Sequence, residues 1–370
     1  MTTSDAALRG KNRLNDSEAQ VLERIESFRR RRPRLIDDTV TLAHGAGGKA
    51  SAALVDAVFV EAFGNATLDE MGDGAVLPVP AGRVAFSTDS YVVNPIFFPG
   101  GSIGDLAVNG TVNDLAVSGA TPAWLSAAFV IEEGLPVETL KRIAADMRAA
   151  ADAAGVLIVT GDTKVVPKGA ADKVFITTAG IGLIPDGRVL GPQHVVPGDR
   201  VVVSGSIGDH GMAVMMARGD LAIEADIRSD TASIAGMVGE LLERVPNTRW
   251  MRDATRGGLG TVANELAQAS GLGVVLDEDA LPVKPMVRGA CDMLGIDPLY
   301  VANEGCFVAI VPAESADAAL AALRSFPAGA SAAIIGEIVS DPAEIVAVRT
   351  GFGGTRIVDM LVGDPLPRIC

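Results

Sequence analysis

The chain has 370 residues, 48% hydrophobic and 21% charged, which suits two cores of ordinary size and excludes a disordered chain. Its 31 basic and 46 acidic residues, net −15, exclude the basic face that nucleic-acid binding needs. Three cysteines, Cys291, Cys306 and Cys370, with no C-x-x-C pair, exclude a disulfide framework or a zinc ribbon.

Residues 1–37 are charge-rich and end near Arg29–Arg30–Arg31–Arg32, which predicts a solvated, flexible extension; a partner-binding arm is the alternative. Asp16 is placed to cap a short helix through Phe28. The amino terminus is polar and no apolar run reaches membrane-spanning length, so the expectation is a cytoplasmic protein with reduced thiols, no signal peptide and no membrane partner.

Strands and helices then alternate. A strand is predicted over Thr39–Ala43, running into His44–Gly45–Ala46–Gly47–Gly48, and a helix over Lys49–Phe63. Next come strand Arg83–Val93, helix Ile103–Ser118 and strand Ala123–Glu132. Helix Glu138–Ala154 carries Leu140, Ile143, Met147, Ala150 and Ala154 on one face, and strands Val156–Thr160 and Lys173–Leu183 follow it. Turn signals at Pro185–Asp186–Gly187 and Pro197–Gly198–Asp199 place a domain boundary near residues 186–199.

The second half gives strand Arg200–Ser204, helices Gly211–Arg218, Thr231–Arg244 and Gly258–Ser270, and strand Gly273–Asp277. Strands Gly305–Val311 and Ser331–Ile338 flank helix Ala316–Arg324, for which Ser315 is the natural cap. The pattern predicts an α+β protein of two α/β-type domains: an extension at 1–37, an N-terminal domain at 38–190, a C-terminal domain at 191–350 and a mobile, Gly- and Pro-rich tail at 351–370.

Several groups of residues can carry chemistry. Asp73, Asp89, Asp114 and Asp162 stand at turns, on a strand and on a helix of the first domain, and oxygen ligands from separate elements are what Mg²⁺ needs. An Asp beside Gly is also ordinary turn chemistry. The Ile103–Ser118 helix is apolar nearly all round, yet Asp105, Asn109 and Asn113 form one polar line along it; a ligand, a wet cleft or neighbouring backbone must pair them. Glycine-rich turns open helices at His44–Lys49, Gly205–Gly211 and Asp253–Gly258, where backbone N–H groups suit phosphate, although none matches a P-loop. Glu304, at the mouth of a strand, is a candidate general base. Cys370 reads as a carrier thiol: the 15 residues from Arg356 reach up to ~50 Å when extended. Cys291 and Cys306 have apolar neighbours and read as inert core residues.

Together these motifs resemble the HypE family of hydrogenase maturation proteins. The likeness is carried by Ser87–Gly134, by Gly161–Asp162–Thr163–Lys164–Val165–Val166, by Asp253–Ala254–Thr255–Arg256–Gly257–Gly258, by Tyr300–Val301–Ala302–Asn303–Glu304–Gly305 and by the ending Pro367–Arg368–Ile369–Cys370. It covers residues ~39–370; residues 1–37 depart from the family pattern. The resemblance implies an aminoimidazole ribonucleotide synthetase-like fold, with an N-terminal ATP-binding sheet domain that dimerises and a C-terminal α/β domain. It implies ATP and Mg²⁺ as cofactors. It also implies three associations: a homodimer through the N-terminal domains, a HypF-type carbamoyltransferase, and a HypC–HypD complex that receives cyanide for the NiFe-hydrogenase iron.

Mapped by motif, the resemblance implies Mg²⁺ ligation by Asp73, Asp89, Asp114 and Asp162. Nucleotide contacts would come from His44, Gly45, Gly47, Gly48 and Lys49, closing as a lid, and from Asn113, Thr163, Asp209 and Asp253. Glu304 would be the base, Lys164 would position the thiocarboxamide, and Cys370 would carry it through ATP-dependent dehydration to a thiocyanate. The competing readings are another ATP-using member of the superfamily, such as a selenophosphate synthetase or a small-molecule kinase, and a non-catalytic carrier. The first lacks its reactive cysteine near the N-terminus, a kinase has no use for the terminal thiol, and a carrier would not hydrolyse ATP.

Overall fold

The computed structural model describes residues 34–46, 49–70, 75, 77, 79, 82–219, 226–360 and 369–370. The predicted Asp16–Phe28 helix lies outside the described residues, as do Gly47, Gly48 and Asp73. Among the described residues no helix is long and apolar enough to cross a membrane.

The first domain is a four-stranded sheet in the order β1 (Arg83–Tyr91), β6 (Val174–Ile184), β4 (Thr121–Glu132), β5 (Leu157–Val166), with a separate two-stranded ribbon of β2 (Phe97–Phe98) and β3 (Gly101–Ser102). β6 runs antiparallel to both β1 and β4, whereas β4 and β5 are parallel. A parallel pair needs a crossover, supplied here by helix α4 (Val137–Ala154). Leu140, Ile143, Met147 and Ala150 are buried on the expected stripe of α4, and Gly155 ends it in the left-handed region. Helix α3 (Ile103–Val117) lies between α4 and the sheet, so nearly its whole circumference is buried. Ser102 caps it by accepting from the N–H groups of Gly104 and Asp105.

Among the described residues, only one face of this sheet is covered. On the other, Phe86 is 68% exposed, and Val84, Val130 and Leu157 are exposed as well.

The second sheet has the order β13 (Thr355–Val358), β12 (Val346–Arg349), β9 (Gly273–Asp277), β11 (Ala333–Val339), β7 (Arg200–Val203), β10 (Phe307–Val311), β8 (Trp250–Asp253). It is covered on both faces. Val201 and Val203 pack with Leu259, Val262 and Leu266 of helix α7 (Gly258–Ser270). Val202 packs the other way, against Met237 and Leu241 of α6 (Ala235–Arg244) and Leu323 of α9 (Ala316–Arg324). The first domain's core extends into the second through Met212 and Val214 of α5 (Asp209–Ala217) and Val287 and Cys291 of α8 (Pro285–Leu294), and it includes Ile369.

Several local readings change. Thr39–Ala43 is no strand: Thr39 makes one isolated bridge to Pro136, and Leu42–Gly45 is a 3₁₀ turn. The Lys49–Phe63 helix is split into α1 (Lys49–Leu54), a π segment (Val55–Val60) and α2 (Glu61–Phe63). Ser315 makes no capping hydrogen bond, because a 3₁₀ turn over Ala313–Ser315 runs straight into α9. Strands β8, β12 and β13 and helix α8 are additions. β13 pairs with β12, so the segment after Gly351 starts as sheet rather than as tail.

Candidate active site

The most unusual feature is a group of acidic side chains, two buried and two half-buried, where the two domains meet. Asp89 lies on β1, Asp114 on α3, Asp253 at the end of β8, and Glu304 in the loop before β10. Register decides which way Asp89 faces. It pairs with Thr178, whose hydroxyl donates to the Ala107 carbonyl of α3 at 2.8 Å, so Asp89 points toward α3. Tyr91 and Thr111 donate to its Oδ2, and Gly110 makes this possible, since a β-carbon there would stand 2.1 Å from the Tyr91 hydroxyl. Ser87 Oγ donates to Asp114 Oδ2 at 2.6 Å.

Three of these carboxyls, Asp89, Asp253 and Glu304, are raised above the usual carboxylate range by burial and by one another. Burial and the Asp114 charge raise Asp89 above the usual carboxylate range. Burial, with Asp114 and Asp89, pushes Asp253 up to about 7. Glu304 is 3% exposed, and burial together with Asp253, Asp230 and Asp89 lifts it well above its ordinary value. The exposed Arg256 guanidinium partly offsets this at Asp89 and Glu304.

Glu304 is fixed through its backbone. Its N–H and that of Gly305 donate to the two oxygens of Asp230, each at 3.0 Å. Gly305 permits this approach, because a β-carbon would meet the Asp230 carbonyl oxygen at 1.9 Å. Burial pushes Asp230 up to about 6. Asn113 donates to the Ala232 and Glu304 carbonyls and accepts the Ile234 N–H at 2.9 Å. Asn109 donates to Thr231, and Asp105 accepts from Ser102. The polar line on α3 is thus largely satisfied by the segment before α6 rather than by an open cleft. The same bonds explain why the helix expected from Thr231 begins at Ala235: residues 230–234 are spent on Glu304 and Asn113.

Asp162 is elsewhere. It pairs with Ala128, one residue along β4 from Ala127, the partner of Thr178. Successive strand residues point to opposite faces, so Asp162 lies on the uncovered face and Asp89 on the covered one. Their strands are also the two edges of the sheet, three spacings or ~14 Å apart. One chain therefore does not bring Asp162 to Asp89 and Asp114. Among the described residues, no three His, Cys, Asp or Glu side chains stand ready to hold a metal ion.

Asp162, Thr163 and Lys164 instead line a cleft of about 410 Å³ beside β5, with His44, Gly45, Phe59 and Phe129. His44 is buried; its Nδ1 accepts the Thr41 N–H at 3.0 Å and its Nε2 is 3.5 Å from Asp37 Oδ2, so the ring serves its own turn. Lys49 opens α1. Asp209 begins α5, buried, accepting from Ser206 and paired with Lys284 at 2.8 Å, while its Oδ1 has no hydrogen-bond partner among the described residues.

Cys370 sits at the rim of the first core. The Val92 N–H, just past β1, donates to the Cys370 oxygen at 3.2 Å. The root of this segment is anchored too: Tyr300 OH donates to the Asp359 carbonyl at 2.6 Å, and Asn264 to that of Val358 at 3.0 Å. The 11 residues after Asp359 span at most ~36 Å, less than the sequence implied, because β13 is held in the sheet. Cys291 and Cys306 are buried, and burial pushes their thiols up to about 11 and about 12.

This architecture has known counterparts. The AIR synthase related protein N-terminal and C-terminal domain models match residues 71–184 and 196–349. Carbamoyl dehydratase HypE of Rhodobacter capsulatus is 54% identical over 338 residues, covering 91% of this chain and 99% of the relative. The chain belongs to the HypE family. A crystal structure of HypE in complex with ATP superposes with a TM-score of 0.86 at 47% identity, over 90% of this chain and 100% of that one. A HypE–HypF complex gives 0.73 at 46% identity, over 84% and 100%. The chain is thus an enzyme of the HypE family with the two-domain α+β fold its motifs implied.

Sequence reasoning did not single out Tyr91, Thr111, Asp230 or Arg256, which the structure brings to the acidic group. Arg256 lay inside a quoted motif. Nothing in the sequence around Asp230 links it to Glu304, 74 positions away.

Proposed function

We propose that this protein is an ATP-dependent carbamoyl dehydratase that makes the cyanide ligand of the NiFe-hydrogenase iron. Cys370 is carbamoylated by a HypF-type transferase. ATP, the co-substrate, gives its γ-phosphoryl group to the oxygen of the resulting thiocarboxamide, releasing ADP as the nitrogen loses its first proton, and this turns a poor leaving group into a good one. Phosphate then departs as the nitrogen loses its remaining proton, leaving S–C≡N on Cys370. The cyanide passes on to a HypC–HypD complex.

The observation that carries this reading is the docking of Cys370 at the end of β1, the strand that also bears Asp89 of the acidic group. Glu304 is the base: a carboxyl raised by burial and like charges is a stronger proton acceptor when ionised than an ordinary glutamate. Lys164 steadies the thiocarboxamide or its developing charge. Asp89 and Asp114 suit Mg²⁺ only with further ligands from elsewhere: two carboxylates whose charges repel would be relieved by a hard cation with oxygen ligands. Asp89 and Asp114 would hold it, with Asp73 as a further ligand and Asp253 nearby; it would neutralise triphosphate charge. Asn113, Thr163, Asp209 and the His44–Lys49 turn, with Gly45, Gly47 and Gly48, are proposed to border the nucleotide.

The separation of Asp162 and Lys164 from Asp89 is the reason to propose a homodimer. An apolar sheet face on the N-terminal domain that the described residues leave uncovered, with Phe86 68% exposed, suits a second copy of the same face, and a partner's β5 then supplies Asp162 and Lys164. The deciding experiment is mass spectrometry of the tail peptide after incubation with the transferase, carbamoyl phosphate and ATP. The expected result is a Cys370 adduct with the mass of one carbamoyl group less one water. A tail that stays unmodified overturns the assignment.

A further inference from the structure

His210 lies buried on α5, and none of the chemistry above uses it. Its ring is engaged on both sides. Nε2 is 2.6 Å from the Ile369 carbonyl oxygen and Nδ1 is 2.8 Å from Ser229 Oγ. A carbonyl oxygen can only accept, so Nε2 carries the hydrogen and Nδ1 accepts from the Ser229 hydroxyl. Burial depresses the imidazole to about 4, so the ring is a neutral donor at neutral pH. Ser229 is held in turn: its Oγ accepts the Thr231 N–H at 3.1 Å, and its own N–H donates to Pro99 at 2.8 Å. The Phe98 ring stands edge-on to the imidazole, with centroids 5.5 Å apart at 82°.

The Ile369 carbonyl precedes Cys370, and the Cys370 oxygen is bound by Val92 on the other side. The backbone on both sides of the Cys370 α-carbon is therefore pinned, and the Ile369 side chain is buried in the core. Ser229 also adjoins Asp230, whose carboxyl holds the backbone of Glu304 and Gly305. One three-residue segment, 229–231, thus supports the tail through His210 and the base through Asp230.

We propose that His210 is a positioning residue that docks the tail, its Nε2–H gripping the Ile369 carbonyl with Ser229 fixing the tautomer, so that Cys370 is presented beside the loop that carries Glu304. The function given to this dock rests on the reading of Cys370 as the carrier. The dock itself is measured without ATP or transferase, through alkylation of the full chain by N-ethylmaleimide, followed peptide by peptide. Buried Cys291 and Cys306 report on the fold in the same sample.

His210→Ala is expected to speed alkylation of Cys370 roughly 5- to 10-fold, the scale of one buried hydrogen bond, while Cys291 and Cys306 stay protected. His210→Gln, whose amide can donate to the same carbonyl, recovers most of the wild-type protection, and Ser229→Ala falls between. On protein already carbamoylated, His210→Ala slows single-turnover dehydration with the KM for ATP unchanged. Wild-type labelling of Cys370 in His210→Ala, with the other two thiols protected, overturns the proposal. If His210→Ala exposes all three thiols, Ser229→Ala decides: faster labelling of Cys370 alone supports the dock and an unchanged rate overturns it. If labelling accelerates but the transferase never modifies Cys370, the dock stands and the carrier reading falls.

Discussion

Asp230 and Glu304 are 74 positions apart in sequence and joined by a 3.0 Å hydrogen bond, from the Glu304 N–H to Asp230 Oδ1. This bond, with its neighbour at Gly305, sets the loop before β10 and buries the Glu304 side chain among Asp253, Asp230 and Asp89. The proposed base thus owes its position to one carboxylate and its raised proton affinity to burial and several.

Glu304→Gln keeps the size and polarity of the side chain and removes its capacity to take a proton. Carbamoylation of Cys370 is expected to proceed normally and dehydration to slow at least ~100-fold, the usual scale for loss of a general base. Rapid-quench mass spectrometry of the tail separates the two steps. Dehydration at the wild-type rate would remove Glu304 from the reaction.

The raised carboxyls make stability depend on pH with a definite sign. Asp253 and Asp230 have folded values of about 7 and about 6, against an ordinary value of 3.8. The folded state therefore binds more protons than the unfolded one between pH ~4 and ~7, and stability falls as pH rises through that window. Thermal melts of the protein without nucleotide should show Tm dropping from pH 5 to pH 8. Asp253→Asn, which removes one buried charge, should flatten the profile and raise Tm at pH 8 by several degrees. A profile as steep as that of the wild type would mean that Asp253 is not its source.

Asp89 and Asp162 are proposed to meet only across two protomers. Asp89→Asn and Asp162→Asn should each be inactive alone. Mixed by co-refolding, half of the dimers are hybrids and each hybrid has one intact site, so activity should return to about one quarter of wild type. No recovery would place both residues in one protomer's site or in none. Phe86→Glu should yield a folded monomer by sedimentation, with ATP-dependent dehydration lost.

Cys370→Ala removes the acceptor and leaves the nucleotide site untouched. It should bind ATP within about two-fold of wild type, since surface changes away from the site rarely exceed ±0.5 kcal/mol. It should also accept no carbamoyl group. Calorimetric titration with ATP, and the tail mass spectrum, check the two halves. Loss of ATP binding would show that the tail builds the nucleotide site rather than visiting it.

The sequence alone determined what depends on neighbours in the chain. The 3.6-residue stripe of α4, the spans of α7 and α9 and the strand Gly273–Asp277 follow from local periodicity and turn residues, and the structure keeps them. So does the burial of α3, legible from apolar residues around its circumference. The motifs also singled out Asp89, Asp114, Asp253, Glu304 and Cys370 as residue types suited to the chemistry. Only tertiary structure decided how these residues are grouped. Strand order put β1 and β5 at opposite edges, and register turned Asp89 and Asp162 to opposite faces. Packing brought Asp230 to Glu304 and His210 to Ile369, 159 positions away. The physical reason is the range of the forces: periodicity and caps act within a few residues, whereas register, sheet order and the pairing of buried polar groups are settled between segments that the sequence lists far apart.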